Sequence, residues 1–181
     1  MFGTMYKNQI FCFEPPLVRK KRFRDVFIFD FHTNTWTSRD TNSKNQQYPD
    51  DRQYVSLAFS GNVGFMSGGI RPFNTYWTSC DIWRIDLENL EWLKLEYYLK
   101  TSVYDHRMCV VDDNYLYSFG GYHDEGSNDT LECFTVQPPR LYRLCLESFS
   151  HLPNLRKYNM SLPPAIVDEL NFNNKNSSFY R

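Results

Sequence analysis

The sequence predicts a mainly β fold, built of consecutive antiparallel sheet units and followed by a short α-helical tail. Three observations predict it: abundant strand-forming aromatics, two signatures that recur 56 and 52 positions apart, and a change of apolar period after Val136. Aromatic residues make up 18% of the 181 positions, with 13 Tyr and 15 Phe. Side chains of this kind suit a pleated, half-buried surface.

In the first signature, DVFIFD from Asp25 to Asp30 leads to Trp36, and DIWRID from Asp81 to Asp86 leads to Trp92 at identical spacing. Each copy reads as a strand of alternating apolar residues, a turn (His32 to Thr35; Glu88 to Leu90) and a second strand opened by Trp. The second signature is NVGFMSGG from Asn62, ending in Gly68-Gly69, and NYLYSFGG from Asn114, ending in Gly120-Gly121. A Gly pair closing an apolar strand supplies positive φ, or room for another backbone to approach. A degenerate copy, NQIFCFEP from Asn8, has Glu14-Pro15 in place of the pair, which predicts a distorted or exposed first unit.

Set in order, each unit reads strand, turn, strand ending in Gly-Gly, variable loop, Asp-rich strand, turn, Trp strand. This order resembles the kelch repeat, in which each copy forms one four-stranded blade of a β-propeller. The resemblance covers roughly positions 5 to 137 and is best preserved from Arg52 to Leu95; the third unit keeps His106 and the Gly pair but lacks a Trp strand. It implies a partial propeller of about three blades, the last one incomplete, against about four to eight in a closed ring. The expected layout is a propeller part over 1–137, a helical tail over 138–172 and a disordered end over 173–181. An N-terminally truncated form of a larger receptor is the expected origin of the incomplete ring.

In the tail, Pro139 can open a helix in which Leu141, Leu144, Cys145, Phe149 and Leu152 recur on one face, and Pro153 marks its end. In SLPPAIVDEL, Ser161 can cap, Pro163 or Pro164 can occupy the first turn, and Ile166, Val167 and Leu170 form a stripe. The first segment resembles a BC-box, which would place Leu141, Leu144, Cys145 and Phe149 on elongin C. Arg140 stands where a small residue is usual, and Phe149 replaces a smaller aliphatic. The second segment resembles a cullin-2 box, which would assign Leu162, Pro163, Ile166 and Leu170 to the cullin. Kelch repeats followed by these two boxes resemble the substrate receptors of elongin B/C–cullin-2 ubiquitin ligases. That implies a non-catalytic adaptor with elongin C, elongin B, cullin-2 and a protein substrate as partners. Related receptors capture the free C-terminus of their substrates, which implies an arginine and polar donors at the propeller mouth.

Loops following the Gly pairs offer Arg71, Asn74, Tyr76 and Trp77 in one unit, and Tyr122, His123 and Asp124 in the next. These are the candidate substrate-facing residues, Arg71 for a carboxylate and Tyr76 or Trp77 for a pocket wall. The basic run RKKRFR, Arg19 to Arg24, reads as a solvated loop that could also serve nuclear import.

Lys and Arg number 20 against 21 acidic residues, a net charge of −1, so nucleic acid and membrane surfaces are not expected partners. Of five cysteines, four lie in apolar segments where a reduced thiol acts as a small hydrophobe, and a cytoplasmic, nuclear-accessible chain is expected. With four His and no ligand-spaced pair, neither a metal site, a cofactor nor catalytic residues are expected. The other reading is a plain kelch interaction module, for example a cytoskeletal or signalling scaffold, whose tail packs on its own blade.

Overall fold

A computed structural model describes residues 3–13, 23–71, 74–138, 141–150 and 163–168. The chain divides into two compact units, Met1–Val136 and Gln137–Arg181. In the first unit every pairing between the described strands is antiparallel. Strands β1 (Gly3–Tyr6), β2 (Gln9–Cys12), β3 (Asp25–Asp30) and β4 (Thr35–Asp40) pair in chain order into one four-stranded sheet. Strands β5 (Ser56–Ser60) and β6 (Val63–Ser67) lead into a hairpin of β7 (Ile70–Arg71) and β8 (Asn74–Thr78). Then β9 (Asp81–Asp86) and β10 (Glu91–Tyr98) return to complete a second sheet, ordered β10-β9-β6-β5. In the third, β11 (Arg107–Val111) and β12 (Tyr115–Phe119) pair with β15 (Leu131–Thr135), after a small hairpin of β13 (Tyr122–His123) and β14 (Gly126–Ser127).

The turns explain the recurring aspartates. Asp30 Oδ1 accepts the backbone N–H groups of His32 and Thr33 at 2.8 and 3.1 Å, and Asp86 Oδ1 accepts that of Glu88 at 2.9 Å. Such an Asx turn folds the chain back without using ladder hydrogen bonds. Asn34 and Leu90 occupy the same left-handed step of the two turns, with φ of 56° and 53°.

Two apolar layers hold the sheets together. Phe11, Phe13, Phe23, Val26 and Ile28 from the first sheet and its loop pack with Met66, Trp83, Ile85 and Trp92 of the second. Ala58, Val63, Phe65 and Ile82 on the other face of the second sheet pack with Val103 and Leu116 before and within the third. Trp92 is the largest fully buried side chain. Its ring meets Phe13 and Phe23 edge-on, and its Nε1 donates to the Phe23 carbonyl at 2.9 Å.

The Gly pairs adopt the expected positive φ, 68° and 96° at Gly68 and Gly69, and 76° and 84° at Gly120 and Gly121. Their surroundings differ. A Cβ on Gly68 would lie 2.4 Å from His106 Cε1 and 2.5 Å from the Val103 carbonyl oxygen, whereas one on Gly120 meets nothing within 4 Å. Both alanine substitutions carry backbone strain of roughly 1–2 kcal/mol. Gly68→Ala adds overpacking of about 1–3 kcal/mol. Chemical denaturation of the two variants should therefore rank Gly68→Ala as clearly the more destabilised.

Three expectations need correction. Only Cys12 is buried; Cys80 is half-buried, while Cys109, Cys133 and Cys145 are exposed. The strand pleat puts Cys109 and Cys133 on the outer face of the third sheet, which an apolar segment does not reveal. The basic run is not solvated throughout: Phe23 is buried, and the Arg24 guanidinium lies 3.5 Å from the Tyr48 ring centroid. The segments after both Gly pairs are hairpins rather than open loops. Glu14-Pro15 and the C-terminal 169–181 lie outside the described residues.

In the second unit, α1 (Leu141–Ser150) begins two residues after Pro139, and residues 164–168 form a further helical turn. No described helix is long and apolar enough to cross a membrane.

Candidate protein-interaction site

The candidate site lies where the Gly pairs turn the chain at one end of the second and third sheets. The same device recurs at both. Gln53 bridges Ile70, and Tyr104 bridges Tyr122, so β5 and β11 are each preceded by a bridge to the residue just after a Gly pair. Tyr54 and Asp105 follow with φ of 56° and 53°. The Asp105 N–H donates to the Tyr54 carbonyl at 2.8 Å, tying the two sheets together. This places Tyr54, Tyr104 and Tyr122 in a row, with ring centroids 6.3 and 5.9 Å apart. Tyr54 and Tyr122 are exposed.

A second cluster forms on the hairpin after the first Gly pair. Arg71, at the end of β7, has its guanidinium 4.0 Å from the Trp77 ring centroid and 2.8 Å from Asp50 Oδ2. An exposed pair such as Arg71–Asp50 contributes only ~0–1 kcal/mol, so an incoming carboxylate can compete for the arginine. Stacking on the indole fixes the plane of the cation, which favours a forked contact.

Underneath, Arg52 is fully buried and anchors the turn. It grips Asp81 with two bonds, Nη1 to Oδ1 at 2.5 Å and Nη2 to Oδ2 at 3.2 Å, and donates to the Gly68 carbonyl at 3.2 Å. Asp81 also accepts from Ser79 and from Trp83 Nε1 at 2.9 Å, and Lys94 lies 3.5 Å away. Burial alone would raise the Asp81 carboxyl, but Arg52 and these donors more than reverse it and hold the group well below the usual carboxylate range.

His106 fills the space beneath Gly68 and is fully buried. Neither ring nitrogen has a hydrogen-bond partner among the described residues. Burial, reinforced by Arg107 and opposed by Asp105, pushes the imidazole pKa down to about 4. The folded protein thus keeps His106 neutral while the unfolded chain binds a proton below about 6.5. Stability is complete above that pH and falls as pH drops from 6.5 towards 4, by about 3 kcal/mol in all. Denaturation at stepped pH should show this slope, and His106→Gln should flatten it above the carboxylate range.

The structure brings Arg71 and Trp77 together and sets Tyr122 in the tyrosine row. Asn74 and Tyr76 lie on β8, and their side chains lie outside the described residues. His123 Nδ1 accepts the Glu125 N–H at 3.1 Å and so helps close the β13–β14 hairpin. Sequence reasoning missed Tyr54, Tyr104 and Asp50, as well as the Arg52–Asp81 anchor beneath. No local pattern marks the first two: Tyr104 is itself a bridge residue and Tyr54 follows one, and both bridges join segments distant in sequence.

In the tail, Leu141, Leu144 and Cys145 are exposed on α1, Leu141 at 76%. The Phe149 side chain, Leu162 and Leu170 lie outside the described residues. The Pro163 carbonyl accepts the N–H groups of Ile166 and Val167 at 3.0 and 3.2 Å, so the turn opens at the Pro163-Pro164 step. Pro163 is exposed, and Ile166 is half-buried. Among the described residues no group of three or more His, Cys, Asp or Glu could hold a metal ion.

A family model described as the KLHDC2/KLHL20/DRC7 Kelch-repeats domain matches residues 4–153. This chain belongs to the kelch-repeat family. Proteins of that family are generally non-catalytic interaction modules, and the matched stretch continues past β15 through α1. Kelch domain-containing protein 10 of Xenopus tropicalis is 27% identical over 156 residues, covering 80% of this chain and 37% of that protein. The same protein of Homo sapiens is 24% identical over 156 residues, covering 80% of this chain and 35% of its own length. Kelch domain-containing protein 1 of Mus musculus is 26% identical over 163 residues, covering 84% of this kelch chain and 39% of that relative. The chain therefore spans between a third and two fifths of the length of these curated relatives.

Proposed function

We propose that this kelch chain is a substrate-recognition adaptor of an elongin B/C–cullin-2 ubiquitin ligase. Its three sheets act as blades of a partial propeller, the Arg71–Trp77 patch and tyrosine row receive a protein substrate, and the tail recruits the ligase. The observation that carries the reading is the exposed apolar stripe of α1, with Leu141, Leu144 and Cys145 at BC-box spacing directly after kelch repeats. A short helix gains little stability from its own hydrogen bonds. A groove on elongin C would cover that stripe by helix-in-groove docking. The turn opened by Pro163-Pro164 supports a cullin-2 contact in the same order along the chain. On the recognition side, an arginine stacked on Trp77 suits a substrate carboxylate, and the exposed Tyr54 and Tyr122 suit its peptide groups.

Affinity capture from cells tests the cullin arm. The unmutated chain should recover elongin B, elongin C and cullin-2, and Pro163→Ala should lose cullin-2 while keeping the elongins. Recovery of none of the three by the folded chain would leave the plain kelch interaction module as the better reading.

A further inference from the structure

Arg71 does not meet a ligand alone. Asp50 Oδ2 accepts from its Nη2 at 2.8 Å, a single contact where Arg52 and Asp81 make two. Side-chain exposure is 45% for Arg71 and 52% for Asp50, so both charges reach solvent side by side. Neither is loosely placed. Trp77 lies against the Arg71 guanidinium at 4.0 Å, and the buried Arg52 donates through Nε to the Asp50 carbonyl at 3.4 Å. The side chain that anchors the Gly-pair turn therefore also holds the backbone that carries the Asp50 carboxylate. All these residues belong to the second sheet, its hairpin or its lead-in. That sheet has the first sheet packed on one face and the third on the other.

A guanidinium is a fork of several donors, so one contact with Asp50 leaves others for an incoming carboxylate. Such a ligand sets its carboxylate beside Asp50, and the two anions repel. A cation next to the ligand's carboxylate offsets that repulsion and gains a partner in Asp50, whereas an acidic group there adds to it. We infer that Asp50 is a specificity-determining residue, favouring carboxylate-ended peptides with a basic side chain next to the terminal residue and disfavouring those with an acidic one. The inference rests on the reading that Arg71 receives a substrate carboxylate, and it names which carboxylates are accepted.

The probes are acetyl-Lys-Gly and acetyl-Glu-Gly with free carboxylates, and acetyl-Lys-Gly amide as the control. Each is titrated into the full chain while the Trp77 indole N–H signal is followed by NMR. At low salt the Lys probe should bind about fivefold more tightly than the Glu probe, the size of one unit-charge interaction across ~4 Å of water. Salt near roughly 1 M should remove most of the difference. Asp50→Asn, an exposed substitution, should leave circular dichroism unchanged and bring the two probes within about twofold of each other, mainly by strengthening the Glu probe. Equal affinities in the unmutated chain, or a preference that survives Asp50→Asn, would overturn the inference. An equal gain for both carboxylate probes in Asp50→Asn would overturn it too, and make Asp50 only a competitor for Arg71. Binding that persists with the amide or in Arg71→Gln, or no binding of any probe, would instead overturn the carboxylate reading of Arg71, and the inference with it.

Discussion

Arg52→Met is expected to cost about 3–5 kcal/mol of folding stability, a large part of the ~5–15 kcal/mol that holds a typical domain together. The arginine is fully buried, so the variant leaves Asp81 with its burial cost and without its counter-charge. Ser79, Trp83 Nε1 and Lys94 would still face the carboxylate, which keeps the loss from growing further. The variant also removes the donor to the Gly68 carbonyl, loosening the turn that carries Arg71. Exchanging both partners, Arg52→Met with Asp81→Asn, should recover part of the loss, because no charge is then stranded. Urea denaturation of the two variants reads both effects; a single variant losing under about 1 kcal/mol would mean that the pair does not anchor the turn.

Trp92→Ala should be nearly as damaging, at about 3–5 kcal/mol, with Trp36→Ala costing a small fraction of that. The two residues hold equivalent positions in the repeat, yet one is enclosed and the other faces solvent. The variant loses the edge contacts with Phe13 and Phe23 and one of the donors to the Phe23 carbonyl. Thr41 also donates to that carbonyl at 2.8 Å, so the oxygen is not wholly orphaned and the cavity dominates. Thermal unfolding of monomeric protein separates the pair. Equal losses would mean that the enclosure of Trp92 does not carry its larger share of the stability.

The repeat explains why much of the first unit was legible in the sequence. Asp30 and Asp86 build turns from their own side chains, and Gly68-Gly69 and Gly120-Gly121 take backbone angles that other residues avoid. Such local requirements leave a residue type at a fixed spacing. The candidate site was only half legible. Arg71 and Trp77 stood out as residues after a Gly pair, but Tyr54 and Tyr104 come together from segments that precede two different sheets. Their role depends on pairing between segments distant in sequence, which no local pattern records. Arg52 was illegible for the opposite reason: its counterpart in the third sheet's lead-in is Val103, so it forms no repeat. Cys109 and Cys133 misled because an apolar strand of a sheet covered on one face shows one side to the core and one to water.

Direct titration of the purified chain with purified elongin B/C tests the central claim. The account predicts saturable one-to-one binding by calorimetry, weakened about thirtyfold by Leu141→Ser if Leu141 is a hot spot of roughly 2 kcal/mol. Heat-free mixing of the folded chain, or equal affinity for the Leu141→Ser variant, would contradict it and leave α1 without a place in ligase recruitment.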